Sequence, residues 1–171
     1  MKRRFQALHP DEFVPGAAAL TPERLSARGI KGVIFDIDNT VVPQDDPADE
    51  HARQLFRMLH EAGIRTFIVS NNAEPRVKTF AGAVGSEYCF KARKPSAKGF
   101  REALRRMELS RGEVIAVGDQ LFTDIWGANR AGIRSVLVPP VDPKKDTKGI
   151  RIKRFFERIV FRSWKKSEKN S

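Results

Sequence analysis

The sequence predicts a Rossmann-like α/β fold, with a mostly parallel five-stranded sheet flanked by helices and no cap domain. Three observations predict it. Short β-branched apolar runs alternate with stretches of helical periodicity, the pattern of strands joined by crossover helices. The segments richest in chemistry each follow one of those runs, where open parallel sheets gather their ligands. The intervals between them have room for one crossover helix each: about thirty residues from Asp38 to Ser70 and about two dozen from Ser70 to Lys94. A site left uncapped suits a reacting group presented on something large.

Taken in order, Thr21 followed by Pro22 supplies the cap and first residue of a short helix. Strands are expected at Gly32 to Asp36, Arg65 to Ser70, Tyr88 to Phe90, Val114 to Val117 and Arg134 to Val138. Helices fit Asp49 to Ala62, Glu74 to Ala81, Ala97 to Met107 and Asp124 to Ala131. The 171 residues, 40% of them apolar, suffice for one sizeable core. The expected division is an N-terminal extension packed on the core (1–30), a catalytic domain (31–143) and a basic amphipathic tail (144–171).

Composition excludes several classes. The lone Cys89 can form no internal disulfide, and no Cys/His cluster has zinc-ligand spacing, which fits a reducing, cytoplasmic setting. Asp11 and Glu12 precede the small apolar patch from Phe13 to Leu20, itself interrupted by Pro15 and Gly16, so a secretory signal is not expected. No run approaches the roughly 18 apolar residues of a membrane span. Walker-type and dinucleotide-binding glycine motifs are absent. The net charge of +11 is uneven, with +8 of it after residue 143, which points to a polyanionic partner: lipid head groups or nucleic acid.

The first strand runs into Asp36-Ile37-Asp38-Asn39-Thr40, and residues two apart on an extended chain share a face. One of two such carboxylates can attack phosphorus while its neighbour protonates the leaving oxygen and then activates water. A calcium loop begins similarly, but Val41 and Pro47 stand where it needs glycine and glutamate. A pair of turn-capping aspartates is the other bland alternative. After the second strand, Ser70-Asn71-Asn72 offers a hydroxyl and a backbone amide to a phosphate oxygen, although it is also ordinary turn composition. Lys94, in Lys91-Ala92-Arg93-Lys94-Pro95, can neutralise a phosphoryl group, or belong to a solvated basic loop; Pro95 is expected to begin a helix. The fourth strand ends in Gly118-Asp119-Gln120-Leu121-Phe122-Thr123-Asp124. Asp36, Asp119 and a carbonyl at Asp38 would suffice for magnesium, with Asp124 orienting a metal-bound water, acting as a further ligand, or serving only as a helix cap.

These four ordered motifs resemble those of the haloacid dehalogenase-like superfamily of phosphohydrolases over roughly residues 32–140. The resemblance implies Asp36 as nucleophile, Asp38 as acid/base, Ser70 and Lys94 as phosphate ligands, and magnesium held by Asp36, Asp38 and Asp119. A narrower resemblance, adding Pro10-Asp11-Glu12-Phe13-Val14, is to the YqeG-type phosphatases of subfamily IIIA. That subgroup is related to a mitochondrial phosphatidylglycerophosphate phosphatase, which implies phosphatidylglycerol, a precursor of cardiolipin, as product. Alternatives from other classes are an uncapped phosphatase of nucleic-acid or protein phosphates and a non-catalytic phosphate-binding module.

From Ile150 to Lys166 a helix is expected that gathers Ile152, Phe155, Phe156, Ile159, Val160 and Trp164 on one face and Arg151, Arg154, Arg158, Arg162 and Lys165 opposite. Such a helix either lies on an anionic membrane, placing the protein at the inner face of the membrane, or packs its apolar face on the sheet; part of the face can also dock alone.

Overall fold

A computed structural model describes residues 6–169, with side chains described for residues 7–163. The order is β1 (Glu12–Phe13), α1 (Pro22–Ser26), β2 (Gly32–Phe35), α2 (Glu50–Glu61), β3 (Arg65–Val69), α3 (Glu74–Val84), β4 (Glu87–Cys89), α4 (Lys98–Met107), β5 (Val114–Gly118), α5 (Trp126–Ala131), β6 (Arg134–Leu137) and α6 (Lys148–Lys169). Local chemistry sets the starts. The Thr21 hydroxyl accepts from the Arg24 amide at 3.3 Å, and the Asp49 carboxylate from the Ala52 amide at 2.7 Å, so α1 and α2 are capped by side chains.

All strands pair in parallel in the order β1-β6-β5-β2-β3-β4. Strands β2 and β5 are buried along their whole length, which explains why they read as continuous apolar runs. One face packs Phe35 on Phe56, ring centroids 4.9 Å apart, while Phe67, Phe100 and Met107 fill the other. The sheet has six strands among the described residues, one more than expected. The addition is β1, whose Phe13 pairs with Leu137 at the edge. Two residues, one acidic and one half-exposed, are too few to show alternation in a sequence.

The expected face of the last helix is split in the structure. Val160 is buried, as are Glu157 and most of Arg154, while Ile152, Phe155, Phe156 and Ile159 are 49–60% exposed. Arg154 and Glu157 therefore face the body of the protein beside Val160, while most of the apolar stripe faces out among the exposed Lys153, Arg158 and Arg162. The physical reason lies in the partners that Arg154 and Glu157 find, described below. The side chains of Trp164 and Lys165 lie outside the described residues. Among the described residues, no helix is long and apolar enough to cross a membrane.

Candidate active site

Parallel strands end at one edge, so the loops after β2, β3, β4 and β5 converge. Asp36 continues β2, its amide donating to Val117 O at 3.0 Å. Lys94 Nζ donates to Asp36 Oδ1 and to Asp124 Oδ1, both at 2.6 Å, and its side chain is only 3% exposed. The Thr40 hydroxyl lies 3.2 Å from Asp36 Oδ2 and 3.0 Å from Asp119 Oδ1. One carboxylate oxygen from each of Asp36, Asp119 and Asp124 falls within 4.8 Å of the others.

Each group is placed by its own strand end. Strand β5 closes on Gly118, where an added Cβ would stand 2.2 Å from the Cβ of Asp124; only glycine lets that side chain fold back on the strand. Asp124 sits in a widened, π-helical turn over Leu121–Ile125, closed by a bond from the Ile125 amide to Gln120 O at 3.2 Å. The expected helix thus begins as this turn and continues as α5. Asp124 is inside the helical segment, accepting from Lys94 and from the Gln120 amide at 3.1 Å, and is more than a helix cap.

Asn71 and Lys94 form a clamp: Asn71 Oδ1 accepts from the Lys94 amide at 2.7 Å, and Asn71 Nδ2 donates to the Lys94 carbonyl at 3.3 Å. The Asn71 side chain is therefore spent on holding the lysine loop. Ser70 is buried in the same corner, and its hydroxyl accepts from the Asn72 amide at 3.2 Å. Pro95 does not begin a helix as expected: the Lys94–Pro95 peptide is cis, and α4 starts at Lys98.

The Asp38 carboxylate stands outside the group of three. Its Oδ1 accepts from Arg76 Nη2 and the Asp45 amide, both at 2.8 Å, and its Oδ2 from Asn72 Nδ2. Arg76 and Asn72 orient this second acid.

Burial pushes Asp36 up to about 7, against the pull of Lys94 and with the help of Asp124 and Asp38. Burial likewise holds Asp119 well above the usual carboxylate range, with Asp124 and Asp36 adding to the effect and Arg154 opposing it. Burial alone would lower Lys94, but Asp124 and Asp36 outweigh it and raise it. Five clustered carboxylates (Asp36, Asp119, Asp124, Asp146 and Glu157) meet two cations, Lys94 and Arg154, leaving three negative charges when all are ionised. A divalent cation offsets most of that excess, and an all-oxygen donor set with no thiolate or imidazole suits a hard ion.

Sequence reasoning missed the contribution of α6. Arg154 Nη2 donates to Asp119 Oδ2 at 2.5 Å, and its Nε to Asp146 Oδ2 at 2.5 Å. Asp146 in turn accepts from Asn39 Nδ2 at 2.7 Å, which links the loop after β2 to the C-terminal segment. Glu157 Oε1 accepts from the Leu121 amide at 2.7 Å, holding the turn that carries Asp124. Nothing in Lys144-Lys145-Asp146-Thr147-Lys148 or in the basic helix signals these long-range partners.

A site of this kind, carboxylates and a buried lysine at the carboxyl edge of a parallel sheet, suits chemistry on a phosphoryl group. The sequence profile of the haloacid dehalogenase-like hydrolases matches residues 41–132, and this chain belongs to that family. It is 47% identical over 133 residues to the Probable phosphatase YqeG of Bacillus subtilis, covering 77% of each chain. It is 26% identical to the chloroplastic/mitochondrial phosphatidylglycerophosphate phosphatase 1 of Arabidopsis thaliana and 30% identical to the chloroplastic enzyme of that name from Chlamydomonas reinhardtii. Those matches cover 83% and 82% of this chain but only 44% and 56% of the relatives, so the chain spans about half their length. An uncharacterized protein from Listeria monocytogenes shares the fold, with a TM-score of 0.54 at 21% identity over 70% of this chain and 83% of the other.

Proposed function

We propose that this hydrolase is a magnesium-dependent phosphatase that works through an aspartyl-phosphate on Asp36 and acts on a phospholipid, converting phosphatidylglycerophosphate to phosphatidylglycerol. The observation that carries the chemistry is the Asp36, Asp119 and Asp124 cluster, in which Lys94 bridges Asp36 and Asp124. Asp36 attacks phosphorus as the bond to the substrate oxygen breaks, and Asp38 gives that oxygen a proton. Water then attacks the acyl phosphate, Asp38 takes its proton, and phosphate leaves with Asp36 restored. Asp38 must exchange one of its three donors for the leaving oxygen or the water at each step. The Ser70 hydroxyl, the Asn71 backbone N–H and Lys94 hold the phosphoryl oxygens. Asp36, Asp119 and Asp124, with Asp38 contributing its carbonyl, would hold magnesium, which supplies charge neutralisation between the carboxylates and the phosphate.

The substrate follows from three supports. The plant and algal relatives carry phosphatidylglycerophosphate in their names. Helix α2 and strand β3 lie between Asp38 and Ser70, and α3 with β4 between Ser70 and Lys94, so neither interval adds a cap. The outward stripe of α6, Ile152, Phe155, Phe156 and Ile159, gives an open site an apolar foot on a membrane's inner face, with the surrounding cations meeting anionic head groups. A nucleic-acid phosphatase would use aromatic and cationic groups there and gain nothing from the two isoleucines.

The test is magnesium-dependent phosphate release from phosphatidylglycerophosphate in mixed micelles, beside a phosphorylated oligonucleotide and a small aryl phosphate, with Asp36→Asn as control. Preference for the lipid is the expected result. Preference for the oligonucleotide would replace the substrate and keep the chemistry.

A further inference from the structure

The two carboxylate oxygens of Asp38 are held unequally. Oδ1 accepts from two donors fixed by their surroundings, the Asp45 backbone amide and Arg76 Nη2, both at 2.8 Å. Arg76 leaves the first turn of α3 with its guanidinium over the ring of Phe80, 5.6 Å from the centroid, and its side chain is 21% exposed. Its Nε is buried without a hydrogen-bond partner, so Asp38 is what offsets the burial of this cation. Oδ2 accepts from one neutral donor, Asn72 Nδ2. Asn72 is half-buried, and its backbone amide donates to the Ser70 hydroxyl at 3.2 Å, so Oδ2 is the oxygen turned toward the corner where Ser70 lies.

We infer that these oxygens divide the work: Oδ1 anchors the side chain through Arg76, a positioning residue, and Oδ2 carries the transferred proton, with Asn72 holding its place until substrate or water displaces the amide. The inference rests on the acid/base reading of Asp38 above and deepens it, because it names the oxygen that works and the residue that aims it. Donor chemistry carries it. A guanidinium and a backbone N–H only donate, so Oδ1 cannot hold a proton while both remain on it. Asn72 has a carbonyl and an NH2 on one rotatable group, and a half-turn of that amide lets it accept from a protonated Oδ2. Strength agrees, since the charge-assisted bond to Arg76 is roughly twice as strong as the neutral one to Asn72, and the amide yields first. In the first step Oδ2 passes its proton to the substrate oxygen as the P–O bond breaks. In the second it takes a proton from the water that attacks the acyl phosphate, which returns Asp38 to its starting state.

Leaving-group dependence tests this on the full chain with magnesium present. The readout is the kcat/KM ratio of phenyl phosphate, whose departing oxygen needs a proton, to p-nitrophenyl phosphate, whose departing oxygen does not. A purely structural role lowers both rates together and leaves the ratio alone. Asp38→Asn, the reference, is expected to lower the ratio about a hundredfold. Arg76→Met keeps an aliphatic stem on Phe80 and is expected to lower it about tenfold, with Arg76→Lys recovering part of the loss. Asn72→Ala is expected to hold the ratio near the wild-type value, whatever its effect on either rate, because the donor it removes is not the anchor. If Asp38→Asn lowers the ratio and Arg76→Met does not, the anchor is overturned and Asp38 stays the acid. A ratio lowered as far by Asn72→Ala as by Arg76→Met would overturn the division between the two oxygens. A ratio unmoved in Asp38→Asn would sink the acid/base reading itself and this inference with it. Arg76→Gln repeats the test should Arg76→Met misfold.

Discussion

The loops that end β2 and β5 and the helix α6 meet at the same carboxylates, yet they arrive by opposite routes. The loops deliver Asp36, Asp119 and Asp124 from strand ends fixed by a fully buried parallel sheet. Helix α6 comes from about thirty residues further along the chain and turns two charged residues inward, placing Arg154 on Asp119 and Glu157 on the Leu121 amide. One region builds the acidic cluster, and the other compensates and braces it. The lesson is that a buried anionic site can decide which face of an amphipathic helix docks. The partners offered to an arginine and a glutamate outweigh the burial of two isoleucines and two phenylalanines, each costing on the order of 1 kcal/mol when left half-exposed.

The largest effect should come from the loop side. Asp36→Asn removes the proposed nucleophile and is expected to cut phosphate release at least a thousandfold with the melting temperature preserved. Retained turnover would reassign the attacking group.

Breaking the helix side should register first in stability. Arg154→Ala leaves Asp119 and Asp146 buried without their cation, and a loss of about 3 kcal/mol is expected in denaturant unfolding. Added magnesium should recover part of this, since the cation replaces charge at Asp119. A variant as stable as the wild type would show that α6 rests on the site without bracing it.

Gly118→Ala tests the geometry where the two regions touch. The new methyl would overlap the Asp124 side chain, so a drop of about a hundredfold in kcat is expected from misplacing one carboxylate. A smaller stability loss, about 1–3 kcal/mol, should accompany it.

A gentler probe is pH in the chelated protein. With Asp36 pushed up to about 7 by burial, the folded chain keeps a proton that the unfolded chain has already released over the range above its ordinary value. Stability of the metal-free protein should therefore fall as pH rises from about 5 to about 8, and magnesium should raise the melting temperature more at the upper end. A flat profile would show that the charge deficit is met in some other way.

The smallest effect on the protein itself is expected at the outward stripe. I152S/F156S should leave stability within about 0.5 kcal/mol, both side chains being more than half exposed, while weakening binding to anionic vesicles several-fold. Unchanged vesicle binding would remove the stripe from membrane attachment.

Much of the catalytic edge was legible because each motif follows a strand. Asp36, Ser70, Asn71, Lys94, Asp119 and Asp124 are all found in the corner that the strand pattern assigns them. What stayed hidden depends on distance along the chain. Strand β1 is two residues long and exists only because β6 offers an open edge. Asn39 and Asp146 are 107 residues apart, and Arg154 and Asp119 are 35 apart, so no local periodicity announces either pair. The helical period of α6 was readable, but its orientation was not. Amphipathic periodicity assigns Arg154 to water, whereas its partners are a buried loop and a strand end. Asn71 shows a subtler gap: its place beside Ser70 suggested phosphate, while its side chain is spent on the Lys94 peptide.

Covalent catalysis by Asp36 is tested most directly by acid quenching during turnover of phosphatidylglycerophosphate labelled in its terminal phosphate, with magnesium present. Label is expected on Asp36 in the wild type, more of it in Asp38→Asn if loss of the base slows hydrolysis of the acyl phosphate most, and none in Asp36→Asn. Label that survives Asp36→Asn, or rapid turnover with no label on the protein at any time, would contradict an aspartyl-phosphate at this site.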